Sequence, residues 1–282
     1  MDVDANSFDL PGFTPPVPVR LTKDITKEQL LGFPAFKTWA KTIKSSLALQ
    51  YTEAEHPFKN DPYTLWSVTV QSVDYFGGTR IGFVKMSADV RNKEGYLPGI
   101  AFLRGGSVGM LMILRPSDYK NERWVVMTEQ ARIPAGSLRF MEIPAGMMDK
   151  HGTFAGAAAI EIKEETGIEV KEDDLVNLTE LALAEAGVSE PLQQAMYPSP
   201  GGSDEYIAIF LWEKVLDRQE IEDLRDKLTG LRSRGERITI RLLDYEELWK
   251  VGARDAKTLA AWSLYEALRR ARHNKLPNER IY

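Results

Sequence analysis

Three glutamates, Glu161, Glu164 and Glu165, lie within five residues of one another. On an α-helix Glu161 and Glu165 stand at i and i+4, with Glu164 at i+3 from Glu161, so the three carboxylates share one face. Like charges placed so closely repel. Either they splay into solvent, as most acidic helix faces do, or a hard cation such as Mg²⁺ or Mn²⁺ holds them, since carboxylate oxygens are its preferred ligands. The local signals agree with a helix: Thr153 is a good N-cap, Ala157-Ala158-Ala159 favours helix with small side chains, and Gly167 suits a left-handed C-cap. Just upstream, Met141-Glu142-Ile143-Pro144-Ala145-Gly146 reads as a strand running into a loop, where a backbone carbonyl can face the same place.

The rest of the chain must supply a scaffold for that helix. Residues 1–20 carry Pro11, Pro15, Pro16 and Pro18 and read as an extended arm, docked or disordered. Thr26 and Gln29 have the spacing of a capping box, and Phe36, Trp39, Ala40, Ile43 and Leu47 recur at helical spacing as a core-facing stripe. From residue 64 to 90 the pattern turns to strands around a Gly77-Gly78 turn, with a break near Pro98-Gly99. Further strands are expected at 108–114, 123–130, 206–212 and 237–243, and helices at 217–229 and 255–273. This mixture suits an α/β sandwich. The division it suggests is an N-terminal arm and helices (1–63), a small antiparallel sheet (64–100) and a main domain (101–282).

Composition excludes several classes. With 36 basic against 41 acidic residues the net charge is −5, so no basic excess drives general binding to nucleic acid or to an anionic membrane. Without cysteine there is no disulfide, zinc thiolate or thiol nucleophile, which fits a reducing compartment. No apolar run is long enough to span a bilayer and the start resembles no targeting peptide, so cytosol is the default. His56, His151 and His273 are too scattered for a metal triad, and the tryptophans read as core or interface, although Trp66 is a candidate to stack on a base.

The acidic segment resembles the Nudix box, Gly-x5-Glu-x7-Arg-Glu-U-x-Glu-Glu-x-Gly-U with U aliphatic. Gly146, Glu161, Ile162, Glu164, Glu165, Gly167 and Ile168 fall on it. Gly152 stands where the pattern has its first glutamate and Ile160 where it has its arginine. Losing both members of a polar pair leaves neither unpaired. Glu142-Ile143-Pro144-Ala145-Gly146, Arg104-Gly105, Glu129-Gln130-Ala131-Arg132 and Ser199-Pro200-Gly201-Gly202-Ser203-Asp204-Glu205 resemble the ADP-ribose and ADP-sugar pyrophosphatase branch. Pro34–Trp39 and Gln71–Phe76 are similar, more narrowly, to plant and fungal ADP-sugar diphosphatases.

The resemblance implies an α/β/α Nudix sandwich behind a small β-rich N-terminal domain, and a Mg²⁺- or Mn²⁺-dependent hydrolase cutting the pyrophosphate of ADP-ribose or ADP-glucose. It implies metal ligation by Glu161, Glu165 and the Ala145 carbonyl, with Glu164 at the reacting centre. Arg132 and Arg104 would clamp phosphate through their planar forks, and Glu142, Gly201 and Glu205 would line the substrate. Glu236, on a loop before a late strand, is the candidate general base, with Glu205 or Glu164 next in line. The branch also implies a homodimer paired through the N-terminal sheet. Two rivals stand beside this reading: a Nudix-fold nucleotide-sugar sensor that does not hydrolyse, and a hydrolase for NADH, a UDP-sugar or a dinucleoside polyphosphate.

Overall fold

A computed structural model of the chain describes residues 6–148, 153–186, 190–230 and 237–271. It divides into two compact units. One runs to Gly106 and takes in Ser189–Gln193 and Ser199–Glu205, and the other holds Ser107–Val188, Gln194–Pro198 and the chain from Tyr206 onward.

The first unit is a sheet with two helices. Its strands are β1 (Ser7–Asp9), β2 (Pro18–Arg20), β3 (Thr64–Phe76), β4 (Arg80–Arg91), β5 (Tyr96–Leu97) and β6 (Ile100–Leu103), in the order β1-β2-β3-β4-β5 with β6 also on β4. The long β3–β4 pair closes through Gly77 and Gly78 at φ 60° and 85°, the left-handed backbone that a tight hairpin turn demands. Helix α1 (Lys27–Gly32) starts on the expected box: the Gln29 N–H donates to Thr26 Oγ1 at 3.2 Å, and the Thr26 N–H donates to Gln29 Oε1 at 2.8 Å. Helix α2 (Pro34–Thr52) opens with proline, whose missing N–H costs nothing in a first turn. Phe36 is fully buried among Val68, Val84 and Met86, with Trp39, Ala40 and Leu47 packed against the same core. Leu10, Val17 and Val19 join them, so the proline-rich segment is docked, with β2 running parallel to β3.

The second unit is an eight-stranded sheet covered on both faces. Its strands are β7 (Gly106–Pro116), β8 (Trp124–Arg132), β9 (Ser137–Glu142), β10 (Ala145–Met147), β11 (Val176–Asn177), β12 (Tyr206–Leu216), β13 (Leu228–Thr229) and β14 (Ile238–Asp244). They follow the order β11-β12-β7-β8-β14-β13, with β10 on β7 and β9 on β8. The helices are α3 (Phe154–Thr166), α4 (Leu178–Ala186), α5 (Arg218–Glu222), α6 (Leu248–Val251) and α7 (Ala256–Ala271). Along β7 the side chains alternate between two cores. Val108, Met110, Met112 and Leu114 meet Ala157, Ala158 and Ile162 of α3, while Leu111 and Ile113 meet Leu178 of α4 and Ala261, Tyr265 and Leu268 of α7. A strand buried on both sides reads as an unbroken apolar run, and the layers form the α/β/α sandwich.

One expected helix is corrected. Asp217 and Glu220 form a capping box that starts α5, but after Glu222 the chain leaves the helix, Asp226 takes φ 58°, and β13 pairs with β14 instead. Backbone bonds to Ile240 from both sides, Asp226 N–H to its carbonyl (3.0 Å) and its N–H to the Lys227 carbonyl (2.9 Å), outweigh the local preference for helix. Among the described residues no helix is long and apolar enough to cross a membrane.

Candidate active site

In the second unit the chemistry gathers where β10 meets α3. The Thr153 hydroxyl accepts the Gly156 N–H at 3.0 Å and opens α3, and Gly167 closes it at φ 76°, as the sequence signals require. Ile162, Ala157 and Ala158 seat the helix on the sheet, which turns Glu165 inward. Glu165 is 7% exposed and its Oε2 accepts the Ala145 N–H at 3.0 Å, while Gln130 Nε2 reaches Oε1 at 3.5 Å. Glu161, one turn earlier, is half-buried against Gly146, and Glu164 is exposed. The three carboxylates therefore occupy three environments on one helix.

The electrostatics of that pair are unusual. Burial pushes the Glu165 carboxyl up to about 8, and the Glu161 charge adds to the rise, against the opposing Ala145 N–H. A second carboxylate, Glu142, also raises it, and Arg132 lowers it. A buried carboxyl raised in this way beside a second, half-buried one is a donor set suited to a divalent ion. No further His, Asp or Glu among the described residues completes a three-membered cluster. Mg²⁺ commonly takes one or two carboxylates and fills its octahedron with water and substrate phosphate oxygens, so Glu161 and Glu165 fit it.

Behind these groups Glu142, at the end of β9, is 3% exposed. Its Oε1 accepts Arg132 Nε at 2.6 Å, and its other oxygen pairs with Lys257 Nζ. The carboxylate is thus spent on two protein cations, which makes it a holder of Arg132. The Arg132 side chain remains 40% exposed, with the outer edge of its fork available to an anion.

The first unit holds its own cluster. Asp204 Oδ1 accepts the backbone N–H groups of Arg104 (2.7 Å) and Gly105 (3.1 Å), and Arg104 Nη1 lies 3.3 Å from Glu205 Oε1. The Phe102 N–H donates to the Gly202 carbonyl at 2.9 Å and the Ser203 hydroxyl to the Phe102 carbonyl at 3.1 Å, so the Pro-Gly-Gly loop is stitched to the end of β6. Burial raises the Asp204 carboxyl above its usual range, against those N–H bonds. Gly201 is an exposed turn residue. Glu236, Gly152 and His151 lie outside the described residues.

Residues 104–263 match the NUDIX domain model. "Nudix hydrolase 14, chloroplastic" of Arabidopsis thaliana is 40% identical over 238 residues, covering 83% of this chain and 71% of that protein.

The chain belongs to the Nudix family.

A solved structure titled "Crystal structure of ADP compounds hydrolase" is 12% identical, covers 76% of this chain and 97% of its own, and superposes with a TM-score of 0.46, too loosely to carry an argument. Within this Nudix domain the box spans β10 and α3, and Ile160, at the arginine position of the pattern, is 37% exposed on α3. Sequence alone gives no role to Lys257, Asp255, Thr258, Gln130 or Asp204, although Gln130 and Asp204 fall within segments that resemble the pyrophosphatase branch. Only Asp255 carried a local signal, as an N-cap whose Oδ2 accepts the Thr258 N–H at 3.2 Å. The others act through partners more than 30 residues away in sequence.

Proposed function

We propose that this Nudix hydrolase uses Mg²⁺ or Mn²⁺ to split the pyrophosphate of ADP-sugars, ADP-ribose and ADP-glucose first among them, into AMP and a sugar phosphate. The observation that carries the reading is the buried Glu165 carboxylate, raised to about 8 beside Glu161, with the Arg132 fork held nearby on Glu142. The choice of ADP-sugars rests on the sequence resemblance, and the Arabidopsis relative's name supports hydrolysis.

When bound, the divalent ion offsets phosphate charge and lowers the pKa of water. Glu161 and Glu165 hold it. Arg132 binds non-bridging phosphate oxygens. Glu236 takes the proton of the attacking water as the new oxygen–phosphorus bond forms and the bridging phosphorus–oxygen bond breaks, its electrons leaving with the departing phosphate. Glu142 keeps Arg132 in place.

The protein is a homodimer in this reading. Trp66, Tyr96, Ile100 and Phe102 of the first unit expose apolar surface that a second copy would cover. Light scattering should give twice 31.8 kDa, and a mass of one chain would sink the dimer. The cytosol remains the proposed compartment. "Chloroplastic" belongs to the Arabidopsis relative's name, and imaging of a tagged full-length chain decides between the two.

The test is incubation with ADP-ribose, ADP-glucose, UDP-glucose and NADH, with Mg²⁺ or EDTA, following AMP, UMP and NMN by chromatography. AMP from ADP-sugars that vanishes with EDTA and in Glu165→Gln supports the hydrolase. UMP or NMN as the main product moves the substrate. Binding without any product makes the protein a sensor.

A further inference from the structure

The first turn of α7 places a lysine where lysines seldom sit. Lys257 is 9% exposed, and its Nζ pairs with the buried Glu142 and lies 3.0 Å from Asp255 Oδ1. Asp255 is itself 7% exposed. Taking an ammonium out of water is costly unless close partners offset it, so this position must be built for its partners. The next residue acts on the same stretch of chain. Thr258 Oγ1 accepts the Ile143 N–H at 3.1 Å and donates to Asp255 Oδ2 at 2.5 Å. A Cβ on Gly252 would lie 2.2 Å from the Thr258 Cγ2, so that glycine makes room for the threonine.

The consequence is a two-point grip on the dipeptide Glu142-Ile143. Lys257 fixes the side chain of Glu142 through one oxygen, which commits the other oxygen to Arg132 Nε, and Thr258 fixes the backbone that leads two residues on to Ala145. Without Lys257, Glu142 would be a buried carboxylate with one cation, free to turn both oxygens onto Arg132 and drag the fork inward.

We propose that Lys257 is a positioning residue for the substrate's diphosphate: through Glu142 it sets the plane of the Arg132 fork. This rests on the reading of Arg132 as the phosphate clamp. Asp255 and Thr258 hold Lys257 and the backbone beneath Glu142 in register, so a helix at the far end of the chain governs the geometry of the box.

A double-mutant cycle tests it, using Lys257→Met, Arg132→Ala and both together in the full chain. KM and kcat for ADP-ribose are read with Mg²⁺, the Kd for ADP-ribose is read by calorimetry in EDTA, and a thermal melt accompanies each variant. The expected result is a rise in KM and Kd of about tenfold, as for loss of a supporting partner, in Lys257→Met but less than about twofold in the Arg132→Ala background, because the partner is already gone. Lys257→Arg should recover part of the loss. Equal effects in both backgrounds, or a lowered melt with unchanged KM and Kd, would overturn the proposal and leave Lys257 a purely structural residue. If Lys257→Met melts without cooperativity, Asp255→Asn replaces it, since asparagine keeps the cap while loosening the lysine. A wild type that binds but does not turn over defeats the hydrolase reading while the Kd cycle still decides this one. A wild type that does not bind ADP-ribose removes both.

Discussion

A Cβ added to Gly146 would lie 1.8 Å from Cδ of Glu161 and 2.1 Å and 2.2 Å from its two oxygens. The glycine at the head of the box is therefore a space reserved for the carboxylate of a residue fifteen positions later. Its φ is not in the left-handed region, so the requirement is steric and owes nothing to backbone freedom.

Gly146→Ala should leave the fold intact and damage the site. The clashing atoms are the far end of a flexible side chain, so Glu161 can swing away at small cost to stability. A ligand displaced by an ångström or more should cost about a hundredfold in turnover. Thermal melts within a few degrees of wild type, alongside a sharply raised Mg²⁺ requirement, are the expected pair of results. Unchanged Mg²⁺ dependence would mean Glu161 is not a ligand.

Glu165→Gln should abolish turnover and stabilise the metal-free protein at high pH. A carboxyl raised from 4.5 to about 8 favours folding in its protonated form. That contribution is fully present below pH 4.5 and is lost as the pH rises to about 8, beyond which the loss is complete. Denaturant midpoints of the metal-free proteins should diverge over this window, with the wild type falling relative to Glu165→Gln. Parallel curves would show that Glu165 is already solvated.

Proton and metal should compete for the same carboxylate. Below about pH 8, Mg²⁺ affinity should rise close to tenfold per pH unit and then level off, with one proton released on binding. Calorimetry in buffers of different ionisation heat measures that proton directly, and a flat affinity from pH 6 to 9 would contradict it.

Asp204→Ala should weaken the first unit. It removes the acceptor of two backbone N–H groups, at Arg104 and Gly105, at a cost of roughly 1–3 kcal/mol. A lower melting temperature with partial recovery in Asp204→Asn is the expected outcome, and no change would mean that water replaces the carboxylate without loss.

Glu236→Gln should lower kcat by about two to four orders of magnitude with KM little changed, as for loss of a general base. Turnover within a small factor of normal would pass the role to Glu205 or Glu164.

Much of the scaffold was legible because it depends on periods. The apolar run of β7, the capping box at Thr26 and Gln29, the N-cap at Thr153 and the C-cap at Gly167 are short-range matters of spacing and side-chain hydrogen bonding, and each is found where the residues indicate. The helix expected over 217–229 failed for the opposite reason. Its composition favours helix, and only pairing with β14 turns Leu228 and Thr229 into a strand.

The site divides along the same line. The types and spacing of Glu161, Glu164 and Glu165 are written in the chain, and so is the family, because a helix face needs only local residues to bring carboxylates together. Which of the three is buried is a tertiary matter: the packing of α3 on the sheet sinks Glu165, half-covers Glu161 and leaves Glu164 in water. Tertiary structure alone assigns Glu142 to Lys257, since it brings residues 115 apart within hydrogen-bonding reach, whereas Arg132 meets Glu142 across the β8–β9 pair only ten residues away. Sequence determines which charges are available; desolvation and long-range contact decide which of them must find a partner.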